Sequence, residues 1–96
     1  MIDLATNEVA LGLYYLDLYW SWSEYYEAAH EFLEDAIDAL DLSKSLSLSG
    51  YQIDTYLANI SAEIEWVKEL FASAEGETES VIANYLESAL QEISMS

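Results

Sequence analysis

The sequence predicts an all-α fold, a small bundle of three to four helices in a single acidic domain that spans residues 1–96. Apolar residues recur at intervals of three and four over most of the chain, as they do on the buried side of a helix. Proline is absent, and two of the three glycines, Gly50 and Gly76, fall where this spacing lapses. Since 53% of the 96 residues are apolar, the chain can bury one modest hydrophobic core.

The first twenty residues are predicted to form a helix, although their pattern also fits a strand. Residues 16–23 (LDLYWSWS) alternate between apolar and polar, as in a half-buried strand. Ser21 and Glu24 have the spacing of a capping box, which would separate a first helix from a second near the tryptophans. The alternative is one long N-terminal helix that continues to about residue 42. Four apolar side chains support a helix here: Val9, Leu13, Leu16 and Trp20.

The most regular helical pattern lies between residues 22 and 42. Its apolar side chains recur every three or four residues: Trp22, Tyr26, Ala29, Leu33, Ile37 and Leu40. Carboxylates recur at the same interval on another face, and we call them the acidic ladder: Glu24, Glu27, Glu31, Glu34, Asp38 and Asp41. The two series together predict an amphipathic helix with one anionic face.

A connection is predicted after this helix. Residues 43–50 (SKSLSLSG) are rich in serine and lack the helical period. A short hairpin is the alternative, because leucines alternate with polar residues over residues 40–48. Ser49 and Gln52 have capping-box spacing, which predicts that a third helix begins there.

Two further helices are predicted in the second half of the chain. The inward stripe of the third helix is expected to be Ile53, Tyr56, Ile60, Ile64, Val67 and Phe71. Gly76 is predicted to end that helix, because glycine favours helix C-termini, and Thr78 to cap the last one. The last helix is expected to bury Ile82, Leu86, Ala89 and Ile93.

The charge balance limits the classes of partner. The chain carries 19 acidic residues against two lysines and no arginine, a net charge of −17. Such a charge repels phosphate backbones and anionic lipids and attracts basic proteins. Cysteine is absent, so disulfides and thiolate metal sites are excluded and a cytoplasmic location is expected. The longest mainly apolar segment, residues 9–22, is shorter than the roughly 20 residues of a membrane span.

The acidic ladder is costly for an isolated helix. Like charges three or four residues apart destabilise a helix by roughly 0.2 to 0.5 kcal/mol per pair, so the ladder costs about 1 to 3 kcal/mol. No lysine or arginine is interleaved to relieve this repulsion. A row of carboxylates about 5 to 6 Å apart approaches the charge density of a nucleic-acid strand. The ladder is therefore predicted to bind a protein that normally grips phosphates.

Aromatic residues are concentrated in the same part of the chain. Seven of the thirteen residues from Tyr14 to Tyr26 are aromatic, and a helix distributes them around most of its circumference. Some must therefore be exposed or meet another chain, and tyrosine and tryptophan are enriched in binding hot spots. The partner-binding candidates are Tyr19, Trp20, Trp22 and Tyr25. The alternative is core packing combined with a homodimer interface.

No catalytic or cofactor signature is complete in this sequence. Glu27 and His30 form a Glu-x-x-His motif of the kind found in di-iron bundles, but a full site needs two such motifs. The chain has a single histidine, so only a symmetric dimer could supply them. We expect instead a surface histidine beside carboxylates, with no metal, no cofactor and no enzymatic activity.

These features predict a binding function. The favoured hypothesis is a non-enzymatic inhibitor that blocks a basic nucleic-acid-binding protein, such as a nuclease or a CRISPR or restriction component, by mimicking the phosphate backbone. Its size and charge are those of some anti-CRISPR, anti-restriction and immunity-type inhibitors, an analogy of composition alone. If phage-encoded, it would act in the host cytoplasm. The alternative is a structural or oligomeric acidic bundle, salt-adapted or designed, with no nucleic-acid-related partner.

Overall fold

The protein folds as a bundle of antiparallel helices. The computed structural model describes residues 2–73 and 76–95. In that part of the chain it contains no strand and four helices: α1 (Ile2–Tyr19), α2 (Tyr26–Leu48), α3 (Asp54–Ala72) and α4 (Glu77–Ser94). The predicted helical class is confirmed, and the hairpin alternative is wrong. The N-terminal segment is a separate helix, not the first part of one long helix.

The four helices form a closed ring around one core. Each of α1 and α3 packs against both α2 and α4, and the bundle measures 42 × 21 × 18 Å. Among the residues described, no helix combines the length and apolar character that a bilayer span requires. The core is lined by aliphatic side chains and one phenylalanine, including Leu16, Leu33, Leu40, Ile64, Phe71, Ile82 and Leu86.

Helix α1 approaches α4 closely at Gly12, which is buried. A Cβ atom at this position would lie 3.2 Å from Cδ2 of Leu86. This near contact, together with the stacking of Tyr15 on Tyr85, shows that α1 and α4 run in opposite directions. The absence of a side chain at Gly12 therefore allows this close approach of the two helices.

Residues 43–48 belong to α2, so the predicted connection at residues 43–50 is wrong over most of its length. Ser43 lies one turn after Leu40 and is fully buried, which extends the core face of the helix. Gly50, with φ of 86°, ends the helix. The N–H groups of Gly50 and Tyr51 donate to the carbonyls of Ser47 and Leu46, an arrangement known as a Schellman motif.

The predicted helix starts also need correction. Helix α3 begins at Asp54 after the N-cap Ile53, and no side chain caps it, so the Ser49 and Gln52 capping box is not formed. Likewise, Tyr25 precedes α2 without a side-chain cap, so the Ser21 and Glu24 box is not formed.

Gly76 is the N-cap of α4 and does not end α3, whose last residue is Ala72. Thr78 lies inside the first turn of α4 and does not cap it. Gly76 instead leaves room for the Glu79 carboxylate, which occupies the space that a Cβ atom would fill.

The predicted core stripes are mostly confirmed. In α4 all four expected residues are buried, and in α3 four of the six are: Ile60, Ile64, Val67 and Phe71. Tyr56 is exposed and Ile53 only half-buried, because Leu57 takes the inward position at the start of α3. Of the stripe predicted for the second helix, Trp22 lies in the turn before α2 and outside the core, whereas Ala36 of α2, which was not predicted, lies within the core.

Candidate partner-binding site

Five of the six acidic-ladder residues lie on α2, and all five side chains are exposed: Glu27, Glu31, Glu34, Asp38 and Asp41. The buried residues of the same helix lie between them in sequence: Ala29, Leu33, Ala36, Leu40 and Ser43. With 3.6 residues per turn, the two sets fall on opposite sides of α2. The ladder therefore follows the outer face of the bundle.

The sixth ladder residue, Glu24, precedes α2. The chain turns between the first two helices at residues 20–25, and Glu24 is exposed in this turn. It does not continue the helical row, but it lies immediately before it.

Within the described part of the chain, Glu34 is the one ladder residue that has a basic neighbour. Its Oε1 atom is 2.9 Å from Nε2 of His30, and Nδ1 of His30 is 2.9 Å from Oδ1 of Asp17 on α1. The hydroxyl of Tyr26 donates to the same Asp17 oxygen over 2.8 Å, and this bond raises the pKa of the phenol. The expected surface histidine beside carboxylates is therefore observed, and it links α2 to α1.

Both lysines bind carboxylates outside the ladder. Lys44 contacts Asp3 of α1 at 2.6 Å. Lys68 contacts Glu87 of α4 at 2.7 Å and Glu65 of its own helix at 3.4 Å. The Glu87 bond raises the pKa of Lys68, and the same contact lowers that of Glu87. Both lysines are thus bound elsewhere, and the sequence has no arginine. The ladder is therefore compensated by neither lysine nor arginine.

An aromatic pocket adjoins the N-terminal end of the ladder. It is an open pocket of about 510 Å³, lined by Trp20, Trp22, Ser23, Glu24, Tyr25 and Leu70. The indole of Trp22 is 79% exposed, stacks on Trp20 with ring centroids 5.8 Å apart, and donates its N–H to the carbonyl of Tyr19. This bond fixes the exposed ring over the end of α1.

Trp20 anchors the pocket to the rest of the bundle. Its ring packs edge-on against Phe71 at 4.8 Å, and its Nε1 atom donates to Oε1 of Glu79 over 2.8 Å. Trp20 is consequently half-buried, whereas the other predicted aromatic residues, Tyr19, Trp22 and Tyr25, are exposed. The pocket therefore lies between the turn before α2 and Leu70 of α3, and the Trp20 hydrogen bond ties it to α4.

The structure brings most of the predicted site residues together. Trp20, Trp22, Glu24 and Tyr25 line one pocket, and the five helical ladder residues extend from it along α2. Sequence reasoning missed Leu70, which lines the pocket, and Glu79, which accepts the indole hydrogen bond of Trp20. No local pattern identifies them, because they reach the tryptophans only through the tertiary fold.

Two further carboxylates lie in partly desolvated positions. Burial and the nearby Glu92 raise the pKa of Glu8, and burial and the nearby Asp35 raise that of Glu63. Asp35 is exposed beside the ladder, so the anionic field of α2 reaches α3. Within residues 2–73 and 76–95, no group of three or more acidic or histidine side chains is arranged to hold a metal ion.

Comparisons of the chain with protein-family models, with curated proteins and with solved structures give no match. Functional inference consequently depends on the ladder, the pocket and the distribution of charge.

Proposed function

We propose that this protein is a non-enzymatic inhibitor that binds a basic nucleic-acid-binding protein and presents carboxylates where phosphates would bind. The observation that carries the proposal is the outer face of α2, where five exposed carboxylates stand in one row and none contacts a lysine. The partner is a protein, and no direct contact with nucleic acid or membrane is part of the proposal.

The spacing of the row suits a phosphate-binding groove. From Glu27 to Asp41 the helix rises about 21 Å, which places one carboxylate every 5 Å or so along the axis. A nucleic-acid strand carries one phosphate per roughly 3.4 Å. Arginine and lysine side chains that are arranged to grip such a strand can pair with the row at slightly wider intervals.

The charge distribution supports fast and specific encounter with a basic surface. Both lysines are held in internal ion pairs, so the outer face of α2 presents carboxylates without a competing lysine. A field of one sign steers an oppositely charged partner and increases its association rate. The same field repels nucleic acid and anionic lipid.

The aromatic pocket supplies short-range affinity at one end of the row. The exposed ring of Trp22 offers a flat surface on which an arginine or lysine side chain can stack, and Glu24 lies beside it to pair with the charge. Such cation–π contacts contribute roughly 0.5 to 2 kcal/mol. Steering by the ladder and anchoring by the pocket are therefore separate parts of the proposed interface.

This mode of action corresponds to anti-CRISPR, anti-restriction or immunity-type inhibitors. Their targets are nucleases or other basic proteins that act on nucleic acid in the cytoplasm, where we place this protein. A bound cofactor has no part in the mechanism.

The experiment compares two variants of equal charge. The ladder variant replaces Glu31, Asp38 and Asp41 by the corresponding amides. The control variant does the same at Asp54, Glu69 and Glu77, which are exposed on other helices. Each variant has a net charge of −14, which is −17 + 3. We expect the ladder variant alone to lose about tenfold or more in affinity, since each exposed ion pair contributes roughly 0.2 to 1 kcal/mol.

The binding assay uses a lysate fraction of proteins that bind phosphocellulose. The immobilised protein captures its partner at low salt, and DNA or RNA is then added as a competitor. Mimicry predicts that nucleic acid displaces the partner and that capture decreases sharply with salt. Equal losses in both variants, or a captured protein that binds nucleic acid and this protein simultaneously, would contradict the proposal and favour a structural bundle.

A further inference from the structure

Helix α1 carries an exposed apolar stripe on its outer face. Leu4, Leu11 and Leu18 are 41–54% exposed, and Tyr14 is 57% exposed between the last two. Together with exposed Asn7, these positions follow the alternation of three and four residues that brings helices together in coiled coils. The leucines repeat every seven residues, a signal that is visible in the sequence.

The stripe is uncharged in a protein of net charge −17. Glu8 lies on one flank of the stripe. The two carboxylates on the other flank are bound within the chain, Asp3 to Lys44 and Asp17 to His30 and Tyr26. Two copies of this protein can therefore approach along α1 without bringing unpaired carboxylates of that flank together. The outer face of α2 has the opposite character, because the ladder runs along it.

The stripe is also symmetric about Leu11. If two α1 helices pair in opposite directions with Leu11 at the centre, Leu4 of one copy meets Leu18 of the second copy. Tyr14 then lies near Asn7 of the second copy, within the same apolar contact. A surface that is complementary to itself in this way forms a two-fold symmetric dimer.

We propose that this protein forms an antiparallel homodimer through the α1 stripe. A parallel arrangement would place Asp3 beside Glu8 of the second copy. The antiparallel arrangement places Glu8 beside Tyr15 and brings Asp3 near Asp17, and each of these two aspartates has a basic partner in its own chain. The pairing uses one helix face and leaves α2 outside the contact, so each dimer presents two acidic ladders.

The dimer is expected to be weak and strengthened by salt. One helix face is smaller than a standard protein interface, which is consistent with a Kd on the order of 0.1 mM. Salt screens the repulsion between two acidic proteins, so association increases with salt. Partner binding by the ladder has the opposite salt dependence, and failure of one proposal leaves the other unaffected.

Sedimentation at protein concentrations from about 10 μM to 1 mM, in low and high salt, tests the dimer. We expect Leu11→Glu to remain monomeric throughout. Leu48→Glu is the matched control, since Leu48 is 80% exposed at the end of α2, on a different helix from the stripe. Circular dichroism confirms that both variants fold. A wild-type protein that stays monomeric at 1 mM, or a dimer that persists in Leu11→Glu, overturns the proposal.

Single cysteines test the geometry, because the chain has no native thiol. Under mild oxidation, Leu11→Cys is expected to form a disulfide-linked dimer faster than Leu48→Cys. A mixture of Leu4→Cys and Leu18→Cys proteins should yield mainly the mixed disulfide. Preferential linkage of Leu4→Cys to itself would overturn the antiparallel arrangement.

Discussion

Ser43 is a polar residue in an apolar environment. It is fully buried in α2, and its Oγ atom has no hydrogen-bond partner among the residues that the structure describes. A buried hydroxyl without a partner destabilises the folded state, because it loses its hydrogen bonds to water and gains none in return. Its small volume nevertheless fits the position that follows Leu40 on the core face.

Replacement of Ser43 by alanine is expected to stabilise the protein by about 1 kcal/mol, because it removes the unsatisfied hydroxyl and favours the helix. Urea unfolding measures the change. Ser45→Ala is the control, since Ser45 is exposed on the same helix, and its effect should stay within roughly 0.5 kcal/mol. A less stable Ser43→Ala protein would indicate that the hydroxyl has a partner in solution.

At the scale of the helices, the end of α2 depends on the backbone conformation of one residue. Gly50 adopts a left-handed conformation that allows the last carbonyls of the helix to be capped. A side chain at this position clashes with the backbone, at a cost of about 1 to 2 kcal/mol. The space around Gly50 is open, so only the conformation opposes substitution.

We therefore expect Gly50→Ala to lower the free energy of unfolding by about 1 kcal/mol. Gly50→Asn should be less destabilising, because asparagine tolerates the left-handed region better than alanine does. Thermal or urea unfolding of the wild type and the two variants measures these differences in the free energy of unfolding. Equal stability of the alanine variant and the wild type would contradict the assigned role of Gly50.

The helices were predictable from sequence where apolar spacing was regular. The core face of α4 and most of that of α3 follow directly from the recurrence of isoleucine and leucine. The end of α2 was mispredicted because serines 43, 45, 47 and 49 resemble a linker, whereas Ser43 continues the buried face. The break before α2 was one of two predicted outcomes, since the local pattern fits both.

The candidate site was predictable only where it depends on local sequence spacing. The ladder is a local, periodic feature, so its exposed position on α2 follows from sequence. Glu24 was assigned to the same row, but the turn at residues 20–25 places it before the helix. The pocket depends on contacts between distant residues, such as Trp20 with Glu79, and no spacing rule predicts them.

For the whole molecule, crowded carboxylates lower the free energy of unfolding by an amount that depends on pH. The pKa values of Glu8 and Glu63 are raised by burial and by neighbouring carboxylates. The folded state therefore binds more protons than the unfolded state as the pH decreases through these raised values. Glu87 acts in the opposite sense, but its stabilisation by Lys68 is lost only as the pH falls through a lowered pKa.

Lowering the pH from 7 towards 5 is consequently expected to stabilise the protein, and urea midpoints at the two pH values measure the effect. In the double variant Glu8→Gln and Glu63→Gln, the urea midpoint should increase less between pH 7 and pH 5 than it does in the wild type. A matched control replaces the exposed Asp54 and Glu69 by amides and should retain more of the wild-type increase. A wild-type midpoint that decreases between pH 7 and 5 would contradict this assignment.

The antiparallel packing of α1 against α4 also has a topological consequence. It brings Ile2 and Ser94 to the same end of the bundle, because Gly12 lies beside Leu86 and Trp20 beside Glu79. One circular permutant joins these ends through a short glycine–serine linker and opens the chain between Ser49 and Tyr51. This permutant retains every neighbouring pair of helices. The order in which the ribosome makes the four helices can thus be changed while the ladder and the pocket keep their places.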